Sequence, residues 1–230
     1  MPYWSLQPAL QTLPDRLAAV RERIARAAER VRRDPAQILL LAVTKVFPVS
    51  FIREAYDLGL RDFGENYVQE FETKAPQVSG LQGARFHLIG HLQSNKSSKA
   101  AELFAVIHTV DSIRLARRLN EAGRSLDLML EVKLSPEQAK SGATPEELPE
   151  LIAAVRACHN LRLLGLMTMP PWSDDPELSR PYFRDLRELA ERHALPQLSM
   201  GMSGDFEVAI EEGSTCVRVG TALFGKRIKA

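Results

Sequence analysis

A lysine at the end of an aliphatic run is the first side chain in this sequence that could do chemistry. Lys45 directly follows residues 39–44, LLLAVT, a run typical of a strand buried on both faces. Apolar walls beside the lysine stem would disfavour the charged ammonium and leave more neutral amine to attack an aldehyde. The alternative is an ordinary lysine that reaches solvent from the end of a strand. Lys45 taken alone does not decide between the two.

Two glycine-bearing turns near the C-terminus could bind an anion. Residues 199–205 read SMGMSGD, and residues 218–225 read RVGTALFG. Both place a hydroxyl and unpaired backbone N–H groups where a helix begins, which favours phosphate binding. Each turn alone is a weak signal, because Ser203 could be a simple helix cap and Gly220 could serve only close packing. Together the two turns predict phosphate binding at this end of the molecule.

An arginine in a predicted buried strand is the most informative single residue. Arg218 lies within residues 215–220, TCVRVG, so its guanidinium needs a partner. By alternation it shares a strand face with Gly220, the face that a bound phosphate would approach. The partner could be a buried carboxylate, with Glu65 and Glu131 as candidates. It could also be an acceptor on a ligand, since guanidinium keeps its protons.

Apolar runs alternate with helical patterns from residue 38 onward. Their continuous hydrophobicity is typical of parallel strands covered on both faces. We predict eight strands, at residues 38–45, 61–65, 85–90, 106–111, 126–134, 161–169, 197–202 and 215–220. We predict helices from 49 or 50 to 58, from 66 to 77, from the cap Ser112 to 122, from the start signal Thr144-Pro145-Glu146-Glu147, and from 177 to 193.

This array predicts a single (β/α)8 TIM barrel that spans residues 1–230 as one domain. An open doubly wound sheet is the alternative, but no glycine-rich nucleotide motif follows the first strand. Barrel proteins place their sites at the carboxyl ends of the strands, where Lys45 and both glycine-bearing turns lie. The sequence therefore predicts that these features face one another across one mouth of the barrel.

Residues 1–35 contain an arginine-rich helix that resembles a targeting or nucleic-acid-binding segment at first sight. Acidic residues interrupt its basic face, unlike the face of an acid-poor targeting segment. Its apolar residues recur at steps of three and four and form one stripe, made of Leu17, Val20, Ile24, Ala27 and Val31. We therefore predict an extra N-terminal helix packed on the barrel.

The composition argues against several classes of partner. The formal net charge is +1, which gives no electrostatic case for nucleic acid or an anionic membrane. No run approaches the ~18 apolar residues of a membrane span. Cys158 and Cys216 are the only cysteines and do not form a disulfide framework or a zinc motif. We expect a cytoplasmic protein with neither nucleic acid nor a membrane as a partner.

Six sequence blocks occur in one order along nearly the whole chain. They are AVTK at 42–45, FGENY at 63–67, HLIGHLQSNK at 87–96, GLMTM at 165–169, SMGMS at 199–203 and RVGT at 218–221. Together they resemble the pyridoxal phosphate homeostasis protein family, also called the proline synthase co-transcribed homologues. The resemblance implies a fold-type-III barrel that binds pyridoxal 5′-phosphate (PLP) and is similar to the N-terminal domain of alanine racemase.

The resemblance also implies a place for seven residues around the cofactor. The block at 87–96 is diagnostic of the family, but no role for its individual residues follows from it. The seven residues are Lys45 at the Schiff base, Ser203, Gly220 and Thr221 at the phosphate, Arg218 at the pyridine nitrogen, and Asn66 and Met202 beside the cofactor.

Three further candidates carry weaker signals. His87 and His91 are four residues apart, but they straddle a strand end rather than one helical face, so we do not expect a metal site. Lys133 and Lys140 follow the fifth strand, where a second lysine could accept the aldehyde during transfer. Solvated surface lysines are the simpler interpretation. Cys216 is expected to be a small core residue rather than a nucleophile.

Two considerations favour holding the cofactor over catalysis. Arg218 would present a donor to an unprotonated ring nitrogen, which weakens carbanion stabilisation, although alanine racemase has a similar arginine. The sequence ends at Ala230. We therefore expect no counterpart of the C-terminal β-domain with which such racemases supply an opposing tyrosine base.

The expected function is PLP homeostasis, by buffering, carrying or delivering the cofactor without substantial substrate turnover. PLP-dependent apoenzymes are the expected recipients, and the chain is expected to be a monomer or a weak homodimer. The alternative is a fold-type-III amino-acid racemase-like enzyme. A third hypothesis is a phosphosugar aldolase-like barrel that uses Lys45 on a carbonyl substrate without any cofactor.

Overall fold

Eight parallel strands form a closed barrel in the computed structural model, which describes residues 12–135 and 141–225. Each strand pairs with the next along the chain, and the eighth closes the ring on the first, with Leu39 opposite Cys216. The predicted (β/α)8 barrel is confirmed. The strands are β1 (Leu39–Val43), β2 (Asp62–Glu65), β3 (Arg85–Leu88), β4 (Val106–Val110), β5 (Leu126–Glu131), β6 (Leu161–Met167), β7 (Gln197–Met202) and β8 (Cys216–Val219).

Helices follow the strands and cover the outside of the barrel. Short 3-10 helices lie at Pro35–Gln37, Ser94–Lys96 and Pro176–Ser179. Across the described residues the α-helices are α1 (Leu13–Arg30), α2 (Val49–Asp57), α3 (Val68–Val78), α4 (Ser97–Leu103), α5 (Ile113–Glu121), α6 (Leu148–Arg156), α7 (Arg180–Arg192), α8 (Phe206–Glu211) and α9 (Thr221–Phe224). No helix in this part of the chain is long and apolar enough to cross a membrane.

The N-terminal helix α1 packs against α8 and α9, as its apolar stripe predicted. A capping box at Thr12 and Asp15 begins the helix. On its charged side, Arg23 and Arg30 form ion pairs with Glu207 and Glu211 of α8. The buried residues of α1 are Leu13, Leu17, Val20, Ile24, Ala27 and Ala28. The domain prediction over 1–230 stays a prediction, since residues 1–11, 136–140 and 226–230 lie outside the described part.

Several predicted boundaries differ from the observed ones. Most strands end one to three residues earlier than predicted, because the chain leaves the ladder to form the loops at the barrel mouth, and Lys45 lies two residues beyond β1. The start signal at Thr144 forms its reciprocal hydrogen bonds with Glu147, yet α6 begins only at Leu148. The capping residues therefore close a turn that precedes the helix.

Alternation along β8 sorts its side chains between two environments. Val217 and Val219 pack in the layer between strands and helices, whereas Cys216 packs with Leu41 inside the barrel. Arg218 therefore points into the barrel interior, on the face predicted from the sequence.

Candidate functional site

The carboxyl ends of the strands surround a cavity of about 510 Å³. Its volume is typical of small-molecule sites, and its wall is mostly apolar with a few convergent polar groups. The lysine after β1 and the two turns after β7 and β8 share this mouth of the barrel. All seven residues that the resemblance places at the cofactor line the cavity, namely Lys45, Asn66, Met202, Ser203, Arg218, Gly220 and Thr221.

Two backbone N–H groups after β8 converge on one hydroxyl after β7. The Oγ of Ser203 accepts hydrogen bonds from the N–H of Gly220 and the N–H of Ala222, each at 3.2 Å. We call these three groups the N–H cradle. Ser203 is not the cap of α8, because that position belongs to Asp205. Since α8 and α9 have only six and four residues, an anion at this cradle would be bound by individual N–H groups rather than by long helix dipoles.

Glycine at position 220 is not required by packing within the chain. A Cβ built on Gly220 would lie 3.5 Å from Val43, an ordinary van der Waals contact. Both residues line the cavity, so the missing side chain leaves space in the cavity beside the N–H cradle. Close packing, the alternative offered for this glycine, does not explain it.

The backbone on both sides of Lys45 is held by two side chains of α3. The carbonyl of Thr44 accepts from Nζ of Lys74 at 3.1 Å, and the N–H of Val46 donates to Oε1 of Glu70 at 2.6 Å. Lys74 and Glu70 form an ion pair with each other. Val46 has a φ of 60°, a conformation that costs a β-branched residue on the order of 1–3 kcal/mol. The Glu70 carboxylate therefore stabilises a strained turn directly after Lys45.

A buried ion pair lies next to this turn. Nζ of Lys74 is 3.0 Å from Oε1 of Glu65, and the same oxygen accepts from the Thr44 hydroxyl at 2.8 Å. Burial raises the pKa of Glu65, while Lys74 and the Thr44 hydroxyl oppose that shift. Glu65 therefore bonds to Thr44 and Lys74, which position the backbone next to Lys45.

Arg218 is buried without a carboxylate partner among the described residues. Its Nη1 donates to the carbonyl and the hydroxyl of Ser199 at 2.6 and 2.8 Å, and its Nη2 donates to the carbonyl of Thr168 at 2.9 Å. The carboxylate partners suggested by the sequence, Glu65 and Glu131, are both wrong, since they bond elsewhere. Three neutral oxygens occupy three of the five N–H donors of the guanidinium, so donors remain for a ligand in the cavity.

A glycine of the 87–96 block lets the loop after β2 approach closely. A Cβ on Gly90 would lie 2.2 Å from the carbonyl oxygen of Asn66, so only glycine fits there. The side-chain Oδ1 of Asn66 is buried and accepts no hydrogen bond from the residues that the structure describes. Buried acceptors are rarely left without a donor, so this oxygen is a candidate ligand contact.

The two histidines of the 87–96 block lie in different parts of the barrel. His87 lies inside the barrel between Asp62 and His108, with both ring nitrogens at 2.9 Å from their partners. His91 lines the mouth cavity, 3.9 Å from Asp111. The described residues contain no cluster of three metal-ligating side chains.

Burial of His87 and His108 makes the folded state sensitive to acid. Burial lowers the pKa of His87 and lowers that of His108 well below its ordinary value. Below pH ~6.5 the unfolded chain takes up protons that the folded chain excludes. Lowering the pH from 7.5 to 5.5 should therefore reduce the free energy of unfolding by at most about 1.4 kcal/mol through His108, and by less through His87, whose pKa is lowered less. Denaturant unfolding at pH 7.5 and 5.5 measures this. His108→Gln should remove the part of this pH dependence that is due to His108. If the free energy of unfolding of His108→Gln depends on pH as strongly as that of wild type, His108 is not the source.

The remaining candidates from the sequence are structural or untested. Cys216 is buried in the barrel, and burial raises the pKa of its thiol to about 12, so it is a core residue and not a nucleophile. Lys133 lines a second cavity that shares Ser141, Met169, Trp172 and Met202 with the first. Lys140 lies outside the described residues.

Comparison with known proteins identifies the family. The model of the alanine racemase N-terminal domain matches residues 16–227. A pyridoxal phosphate homeostasis protein of Pseudomonas aeruginosa is 46% identical over 224 residues, which cover 95% of this chain and 97% of that protein. One from Escherichia coli strain K12 is 45% identical, over 92% of this chain and 95% of that protein. The chain belongs to the pyridoxal phosphate homeostasis protein family.

Solved structures agree with membership of the pyridoxal phosphate homeostasis protein family. PipY of Synechococcus elongatus PCC7942, solved with PLP bound, is 38% identical with a TM-score of 0.83, over 93% of this chain and 100% of that chain. An alanine racemase of Clostridium difficile has a TM-score of 0.70 at 13% identity, over 96% of this chain and 58% of that one. The second likeness concerns the barrel fold alone.

Sequence reasoning missed two devices in this member of the pyridoxal phosphate homeostasis protein family. The first is the pair of hydrogen bonds by which Glu70 and Lys74 fix the backbone on both sides of Lys45. The only signal for it was an acid and a base four residues apart on a predicted helix. The second is the line of polar side chains inside the barrel from Asp62 through His87. A histidine in the middle of a predicted buried strand was the available signal.

Proposed function

We propose that this chain binds PLP through Lys45 and serves PLP homeostasis by buffering, carrying or delivering the cofactor without substantial turnover of a substrate. The observation that carries the proposal is the presence of a lysine and an N–H cradle in one cavity. The names of the P. aeruginosa and E. coli relatives and the PLP-bound PipY structure support it.

The polar groups of the cavity suit the parts of PLP. The N–H cradle and Thr221 would hold the phosphate, which needs several convergent donors. Arg218 would donate to the ring nitrogen, and the unsatisfied Oδ1 of Asn66 would accept a hydrogen bond from the cofactor. When bound, PLP supplies an aldehyde that joins the Lys45 amine with loss of one water, together with a ring that accepts electron density. Met202 would pack beside the ring.

Arg218 also favours holding over turnover. Its guanidinium cannot accept a proton, so it favours an unprotonated ring nitrogen and a weaker electron sink. The alternative is a racemase-like enzyme, which needs a proton donor or acceptor on each face of a substrate. One observation favours that alternative, because His91 lines the same cavity as Lys45.

One experiment separates the two functions. Purified protein is loaded with PLP, reduced with borohydride and analysed by intact mass, and unreduced loaded protein is incubated with a panel of L-amino acids. We expect one adduct per chain, mapped to Lys45, and no Lys45-dependent racemisation. Rapid racemisation that disappears in Lys45→Ala would overturn the holding function.

Gly220→Ala fills space beside the cradle and should weaken PLP binding about 10- to 100-fold, the effect of one lost hydrogen bond to a charged group. Binding of pyridoxal, which has no phosphate, should stay unchanged.

Partners and location complete the proposal. Recipients of PLP would be apoenzymes, which reach the cofactor at the barrel mouth, where Trp172 is 81% exposed. We propose a cytoplasmic monomer or weak homodimer. Light scattering across a range of protein concentrations tests the oligomeric state.

A further inference from the structure

Arg218 is the upper end of a line of hydrogen bonds that crosses the barrel interior. Its Nη1 donates to Oγ of Ser199, which lies 2.9 Å from Nδ1 of His108. Nε2 of His108 is 2.9 Å from Nδ1 of His87, and Nε2 of His87 is 2.9 Å from Oδ1 of Asp62. We call these five residues the cross-barrel chain. They come from β8, β7, β4, β3 and β2.

The chemistry of its two ends and the neutrality of its histidines fix every proton in the cross-barrel chain. Burial lowers the pKa of both histidines, so each carries one ring proton. Asp62 as a carboxylate only accepts, so the proton of His87 is on Nε2 and its Nδ1 accepts. Nε2 of His108 must then donate to His87, which leaves Nδ1 of His108 to accept from the Ser199 hydroxyl. Arg218 only donates, and it supplies the hydrogen bond that the Ser199 oxygen accepts. All four bonds therefore run in one direction, with both histidines neutral, and bonds aligned in this way strengthen one another.

Folding alone does not explain polar side chains at these positions. Barrel interiors are normally filled by branched aliphatic residues, and well-packed apolar replacements of a buried charged network are often as stable or more so. Ser199, His108 and Arg218 are at most 3% exposed, so their solvation is lost on folding. The cross-barrel chain is arranged so that its upper end lines the mouth cavity.

The lower end of the cross-barrel chain opens on the opposite face. A cavity of about 280 Å³ there is lined by His87 and His108, with Arg85, Asp127 and Arg162 from the beginnings of β3, β5 and β6. Arg85 lies 3.7 Å from Asp62 and 3.5 Å from Asp127. Both histidines border this cavity and are nearly fully buried, at 2% and 1% exposure.

We propose that Asp62, His87, His108 and Ser199 are positioning residues, which fix the orientation and donor strength of Arg218 at the mouth cavity. The inference rests on the proposed function, because the ring nitrogen of PLP is the acceptor that Arg218 would serve. Holding the guanidinium from behind keeps its remaining N–H donors aimed at the ligand. Release of PLP is then governed partly by groups outside the PLP site.

The test compares variants that break or keep the cross-barrel chain. Ser199→Ala and His108→Leu break it, whereas His108→Gln keeps it, since a glutamine amide can donate to His87 and accept from Ser199. Each protein is loaded with PLP, and three properties are measured: the visible spectrum, the rate of PLP release into a trap, and the melting temperature. We expect about tenfold faster release and a shifted visible band in Ser199→Ala and His108→Leu, with His108→Gln within about twofold of wild type.

Each outcome decides between the cross-barrel chain and the proposed function. Lower melting temperatures with wild-type release and spectra in Ser199→Ala and His108→Leu would reduce the chain to a structural role and overturn the inference alone. If His108→Leu does not fold, Ser199→Ala decides, because it removes one oxygen and leaves the backbone bond to Arg218 in place. A wild-type protein that takes up no PLP would overturn the proposed function itself.

Discussion

Replacing Lys45 with alanine is expected to reduce the borohydride-stable PLP adduct from about one per chain to background. Lys45 lines the cavity together with the N–H cradle, so its removal would leave the proposed phosphate contacts but no amine for a covalent bond. Lys45 is half-buried and lies beyond the end of β1, so the free energy of unfolding without ligand should change by less than about 1 kcal/mol. Intact mass and urea unfolding measure the two effects.

A matched control isolates the position of the amine. Lys99→Ala removes a half-buried lysine of α4 that pairs with Glu72 and Glu102 on the outer surface. It should leave both the adduct and the PLP-induced rise in melting temperature intact, whereas Lys45→Ala should lose most of that rise. An adduct of normal stoichiometry in Lys45→Ala, mapped to another lysine, would refute the assignment.

Arg218→Ala is expected to have the largest effect on stability and also to abolish PLP retention. Truncation leaves a cavity in the barrel and takes a donor from the carbonyls of Ser199 and Thr168 and from the Ser199 hydroxyl. Such losses together cost about 2–4 kcal/mol. Thermal and denaturant unfolding of the ligand-free protein measure the cost, and a melting temperature equal to that of wild type would show that the burial argument is mistaken.

An uncharged variant with a long side chain separates the packing of Arg218 from its charge. Arg218→Met fills much of the same space without a guanidinium, so it should recover part of the lost stability. It should not recover PLP retention, because the donor proposed for the ring nitrogen would be missing. If Arg218→Met recovers both stability and PLP retention, both losses in Arg218→Ala are due to packing rather than to the missing charge.

The barrel was predictable because its periodicity and its order are local. Each short, continuous apolar run indicated a buried strand. Alternation along residues 215–220 predicted the correct strand face for Arg218. The boundaries were less predictable, because they depend on where a strand loses its neighbour in the ladder. The start signal at Thr144 shows this, since its capping bonds form while α6 begins at Leu148. Helix α4 was not predicted, since seven residues carry little periodicity.

Site residues were predictable by type but not by partner. The resemblance and the strand ends brought Lys45, Arg218 and the glycine-bearing turns to one cavity. The neighbours of Arg218 are Ser199 of β7 and Thr168, which directly follows β6. They are about 20 and 50 positions away in the sequence, and no local pattern encodes such contacts. For the same reason the sequence suggested carboxylates, whereas the structure supplies a hydroxyl and two carbonyls.

The hydroxyl of Ser203 has a consequence for how a phosphate is taken up and given back. It already accepts from the N–H groups of Gly220 and Ala222, so these donors never face an empty space. An incoming phosphate would displace the Ser203 hydroxyl from these two N–H groups. When the phosphate leaves, the hydroxyl would accept from them again. Such an exchange conserves hydrogen bonds in both directions, so the net gain on loading is small. A phosphate site that releases its ligand as readily as it binds it suits reversible storage of PLP better than permanent retention.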